Sequence, residues 1–107
     1  MIRAEFFCRK QGFSGFSVSG HAGAAPEGSG DVVCAAVSSA VYLTANAITD
    51  VLMVNAKVRA GQDGFLSLSV ADGEQSVCQP FFRALWIHLE QLSQQYPQNL
   101  KVFQTEK

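Results

Sequence analysis

The sequence predicts an α+β fold, a two-layer arrangement in which two helices pack on one face of a mixed sheet in the order ββαββαβ. Three observations carry that expectation. Short apolar-alternating segments bounded by turn residues occur at 2–9, 13–20, 56–60, 65–70 and 100–104, the pattern of half-buried strands. Two longer segments, 31–54 and 76–94, carry their apolar residues at helical spacing. The chain has 107 residues, 48% hydrophobic and 16% charged, which suits one domain around one core and argues against disorder.

In the first strand Ile2, Ala4 and Phe6 share a face, and Gln11-Gly12 marks the turn into a second strand with Phe16 and Val18 in alternation. Residues 20–30, GHAGAAPEGSG, hold nothing apolar larger than Ala apart from Pro26 and are expected to form a mobile loop. Asp31 is expected to cap the long helix, whose buried side is Val33, Val37, Val41, Ile48 and Leu52 and whose polar side is Ser38, Asn46, Thr49 and Asp50. A hairpin around residues 61–64 joins the third and fourth strands. In the second helix positions 78, 81/82, 85, 89 and 92 are apolar, and Pro80 is tolerable because it falls near the first turn. Tyr96-Pro97 ends that helix before the last strand.

Residues 32–54 are long enough to span a bilayer, but spanning would bury Asn46 and Asp50 in hydrocarbon at several kcal/mol. A helix of a water-soluble core is expected instead, with no membrane partner. The first ten residues lack a secretory apolar stretch. Three cysteines without CxxC spacing argue against a disulfide framework or structural zinc and fit a reducing cytoplasm. Eight basic and nine acidic residues give a net charge of −1 without any Lys/Arg block, so no direct nucleic-acid partner is expected.

Candidate chemistry lies at His21 and Cys34. A cap at Asp31 would place Cys34 third in the helix, where the positive helix end stabilises a thiolate. His21 ends a strand thirteen residues earlier, and the glycine-rich loop can fold the two together as a nucleophile–base pair. Asp31, Cys34 and Ser38 are spaced by three and four and so share one helix face, while first-turn amides are available to an oxyanion. Spacing alone leaves the alternative open: Cys34 as a small buried hydrophobe and His21 as a loop residue. No second His or carboxylate has ligand spacing with His21, so no metal or cofactor is expected. Cys8 and Cys78 read as packed residues, Cys78 with some thiolate character near its helix start. His88 reads as a partly exposed helix residue, and Phe81-Phe82 as core or an apolar contact surface.

The triplet Gly20-His21-Ala22, the glycine-rich loop and the block Asp31-Val32-Val33-Cys34-Ala35-Ala36-Val37-Ser38 resemble the signature of the ribosomal-processing cysteine protease family, Prp, across essentially the whole chain. The visible departure is Ser29, where the family pattern has glycine, in a loop one residue longer. The resemblance implies one cysteine protease domain over residues 1–107, of bacterial cytoplasm. Its expected role is to remove the N-terminal extension of large ribosomal subunit protein twenty-seven. It implies Cys34 as nucleophile, His21 as general base, and Asp31 and Ser38 in support. It also implies a loop including Gly20, Ala22, Gly23, Gly28 and Gly30 that orders over substrate, and a homodimer. The alternative from another class is a non-catalytic, ribosome-associated module that holds a peptide in the same groove.

Overall fold

The computed structural model describes residues 1–10, 12–21, 29–61 and 65–107, without the side chains of residues 29–31. The elements are β1 (Ile2–Arg9), β2 (Gly12–Ser19), α1 (Ser29–Asn46), a π-helical turn (Ala47–Val51), β3 (Lys57–Ala60), β4 (Leu66–Ser69), a 3-10 turn (Asp72–Glu74), α2 (Gln75–Gln95) and β5 (Leu100–Glu106). The strands form one mixed sheet in the order β3-β4-β2-β1-β5, antiparallel except for the parallel β1–β5 pair. The α+β class and the ββαββαβ order are those predicted.

Register explains which strand face is buried. Ile2, Ala4 and Phe6 of β1 stand level with Leu100, Val102 and Gln104 of β5, and Ala4 and Phe6 face Val18 and Phe16 of β2. Those β2 residues in turn face Leu66 and Leu68 of β4. Onto this surface α1 lays Val33, Val37, Val41 and Ala45, and α2 lays Cys78, Phe82, Leu85 and Leu89, all buried. Aromatic contacts join the layers: Trp86 meets Phe6 edge-on at 5.2 Å between ring centres, and Phe82 meets Phe16 at 6.1 Å. The apolar segment Val32–Val51 is long and apolar enough to cross a membrane by composition, and here its buried stripe packs in this core.

Both ends of the long helix and the place of Pro80 differ from expectation. The long helix begins at Ser29, so Asp31 is its third residue and not its cap. It ends in the π-helical turn, where the Leu52 amide donates to Ala47 O and the Val54 amide to Ile48 O, and Met53 turns the chain with φ +59°. Pro80 is the sixth residue of α2, in the second turn; it is exposed, so water can serve the carbonyl its missing N–H leaves.

A β-bulge went unforeseen. Phe7 faces Gly15 while Cys8 faces Phe13, leaving Ser14 as the extra residue. The insertion turns Phe13 and Phe16, three apart, to the same helix-covered side, where both meet Phe6. Two glutamines of α2 hold this end. Buried Gln75 donates through Nε2 to Arg9 O at 2.8 Å, and Gln79 exchanges hydrogen bonds with the Phe13 amide and carbonyl.

Gln75→Leu should lower stability by about 1–3 kcal/mol, because strand carbonyls lose a buried donor. Phe82→Ala should lower it by about 3–5 kcal/mol through the cavity left between α2 and β2. Urea denaturation checks both, and a Gln75→Leu protein as stable as the parent would refute the clamp.

Candidate active site

The chain bends at the end of β2 at Gly20, whose φ of +92° is one that side chains rarely adopt. A Cβ there would also overlap the Met1 carbonyl oxygen. The next residue, His21, is exposed at the end of the central strand pair. Cys34 lies in α1, half-buried on the flank of the core.

These elements enclose a cavity of about 220 Å³ lined by Ile2, Val18, Gly20, His21, Cys34, Val37 and Ser38. Strand residues form its apolar floor and α1 its wall, with Ser38 one turn below Cys34. The structure thus brings His21, Cys34, Ser38 and Gly20 to one cavity. Gly30 is in the first turn of α1, as is Asp31, whose side chain is outside the described residues; Ala22, Gly23 and Gly28 are outside them altogether.

The helix start changes one part of the chemistry expected from the sequence. Cys34 is the sixth residue of α1, in the second turn. The amides without helical acceptors belong to the first turn, and the field of a helix end falls off within that turn. Stabilisation of negative charge at Cys34 by the helix end is therefore weaker than a third-residue position would give. The first-turn amides foreseen for an oxyanion lie a turn away along the backbone.

The other thiols have different surroundings. Burial, with the Glu74 carboxylate, pushes the Cys78 thiol above the ordinary value, against the thiolate character expected near a helix start. Burial, with Glu106, does the same at Cys8, whose Sγ lies 3.5 Å from Gln104 Oε1. Among the described residues no three His, Cys, Asp or Glu side chains converge as metal ligands.

A family model described as cysteine protease Prp matches residues 1–101. The structure resembles that of the essential ribosomal processing protease Prp of S. aureus with a covalently linked product peptide. That match has TM-score 0.85 and 19% identity, and covers 98% of this chain and 100% of that one. The same S. aureus protease with a substrate peptide matches at TM-score 0.83 and 18% identity, over the whole of both chains. A Streptococcus mutans protein matches at TM-score 0.84 and 24% identity, over 100% of this chain and 96% of that one. At these identities the solved structures show the fold; no curated protein matches the sequence.

Gly20→Ala should destabilise the fold by about 1–3 kcal/mol, read as a lower urea midpoint; an unchanged midpoint would show that the turn tolerates a side chain. The raised thiols at Cys8 and Cys78 leave little thiolate at neutral pH, so their alkylation should be slow there and accelerate only in alkali. Mass-resolved labelling against pH checks this, and rapid neutral labelling of Cys78 in the folded chain would contradict it.

Proposed function

Because the chain belongs to the cysteine protease Prp family, we propose that it is an endopeptidase in which Cys34 is the nucleophile and His21 the general base. The observation that carries this is the shared cavity of His21 and Cys34. The family match supports the chemistry. The imidazole takes the thiol proton as sulfur attacks the scissile carbonyl, and returns it to the leaving amine. Water then cleaves the thioester with the same base. With Cys34 in the second helical turn, activation of the sulfur rests chiefly on His21.

Gly20 is a positioning residue that sets where His21 leaves the strand, and Ser38 supports the wall beneath Cys34. Asp31 orients His21 or stabilises the first turn through its carboxylate, which favours a helix N-terminus. Ala22, Gly23 and Gly28, between His21 and α1, serve as the substrate loop, while Gly30 belongs to the first turn of the helix. The substrate is the N-terminal extension of the large ribosomal subunit protein twenty-seven precursor, and the place of action is the bacterial cytoplasm. The whole of residues 1–107 works as one protease domain. The apolar cavity floor of Ile2 and Val18 favours an apolar peptide side chain over a charged one.

The functional form is a homodimer. Its support in the fold is the apolar surface of the helix layer, where Leu43 is 72% exposed beside a groove of about 490 Å³ between α1 and α2. Leu43→Glu should therefore convert a dimer to a monomer in sedimentation, and an unaltered dimer would place the contact elsewhere.

Incubation with the precursor, read by mass, should give one cut with the parent chain and none with Cys34→Ala, which still binds the peptide. His21→Ala should cut at least a hundredfold more slowly, within the range ascribed to general base catalysis, roughly 10²–10⁴. Alkylation of Cys34 near neutral pH should outpace that of Cys8 and Cys78 and slow in His21→Ala. Undiminished cleavage by Cys34→Ala would end the proposal, and peptide binding without cleavage by the parent would favour the binding-module alternative.

A further inference from the structure

The helices cover one face of the sheet. The other face follows from the same registers. Arg3, Glu5, Phe7 and Arg9 of β1 stand level with Lys101, Phe103 and Thr105 of β5 and with Ser19, Ser17 and Gly15 of β2. Ser67 and Ser69 of β4 continue the row, and Arg59 and Lys57 of β3 end it. Of the eight Lys and Arg residues in the chain, Arg3, Arg9, Lys57, Arg59 and Lys101 thus belong to this face. Lys107 joins them, its Nζ 4.6 Å from the centre of the Phe7 ring.

The acidic residues sort the other way. Among the described strand residues, Glu5 is the carboxylate on the open face, where it accepts a hydrogen bond from Thr105 Oγ1 at 2.8 Å. Glu106 stands level with Cys8, on the helix side. Asp50, Glu74 and Glu90 belong to the helix layer. Asp72 is taken by Arg9 and Lys10, both at 2.8 Å. Among the described side chains, cations therefore outnumber carboxylates on the open face; the side chains of Glu27, Asp31 and Asp63 lie outside them.

Aromatic rings sit within this basic surface. Phe103 and Phe7 are half-buried, and the Arg3 guanidinium lies 4.9 Å and the Lys101 ammonium 5.7 Å from the centre of the Phe103 ring. The two rings lie on β1 and β5, and cations flank them there and stand again on β3, across a sheet about 19 Å wide at the usual strand spacing. The serines between them offer hydroxyls without bulk.

We propose that this open sheet face binds single-stranded RNA, with Arg3, Lys57, Arg59, Lys101 and Lys107 meeting phosphates and Phe103 and Phe7 taking bases as the cations over their rings swing to the backbone. Single strands suit the site because splayed bases can lie flat on a sheet that carries aromatic rings. An acidic protein would satisfy the cations but make no use of the rings. The face is separate from the Cys34 cavity, which opens among the helix-side residues of the same strands.

The test is fluorescence anisotropy of a labelled oligouridine RNA of about 12 nucleotides with the full chain. Binding at low salt should weaken with a log–log slope of about −3, as for four or five cations at about 0.7 each. The double variant Arg59→Glu, Lys101→Glu should bind at least tenfold more weakly with a slope near about −1.5. Lys101→Gln, a milder change, should lose about threefold. Phe103→Leu should lose about fivefold through stacking alone. Arg83→Glu, on α2, should bind within twofold of the parent. Absence of binding by the parent at low salt, or equal loss in Arg83→Glu, would overturn the proposal. So would polyglutamate competing as well as the RNA, which would assign the face to an acidic protein.

Discussion

One-sided burial organises this molecule. Five strands present alternate residues to two faces, and both helices cover the same one. Val33, Val37 and Val41 of α1 and Phe82, Leu85 and Leu89 of α2 have their apolar partner in the row built from Ile2, Ala4, Phe6, Phe16, Val18 and Leu68. Sinking that stripe fixes the rotation of α1 about its own axis. Cys34 follows Val33 and precedes Val37, so the packing that buries the valines brings the sulfur to the flank of the core. The position of the thiol is thus a consequence of core packing, set before any catalytic requirement applies.

The second half of the site comes from the opposite layer and depends on backbone geometry. The β2 strand carries the chain past Val18 to a turn that glycine alone enters without strain, since φ is +92° and the Met1 carbonyl fills the space of a side chain. His21 therefore emerges beside the β1 terminus, over the cavity that α1 walls. Cys34, on the wall of the same cavity, sits in the second helical turn and receives little of the helix-end field. A histidine held in the same cavity then matters more than it would for a cysteine at a helix tip. The cavity that His21 and Cys34 share is a joint product of a strand end and a helix flank.

Much of this was legible in the residues, and the omissions have physical causes. Alternation and helical spacing gave the strand and helix order, because both periods report one-sided burial directly. The glycine-rich loop makes a pairing of His21 with Cys34 legible as one of two readings, and the motif around them is what singles it out. The helix start is not legible because Asp31 is a good cap, whereas Ser29 and Gly30 extend the helix one turn further into a glycine-rich stretch. Phe13 and Phe16, three apart with Gly15 between them, were the available sign of the bulge. The roles of Gln75 and Gln79 had no sequence signal, since a helix glutamine more than 60 residues from its carbonyl partner looks like any solvated one.

The charge distribution shows most plainly what a linear reading loses. Along the chain the basic residues are scattered and balanced by acids, and no run of them exists. Strand residues two apart fall on the same side, and neighbouring strands stack those sides into rows. Arg3, Arg59 and Lys101 thereby become members of one surface through pairings that span nearly the whole chain. The same alternation keeps that surface apart from the thiol: Ile2 and Val18 line the cavity, while their neighbours Arg3 and Ser19 point the other way. A macromolecule held on the open face would leave the cavity accessible. The two faces can therefore hold different partners at once, which a sheet covered on both sides could not do.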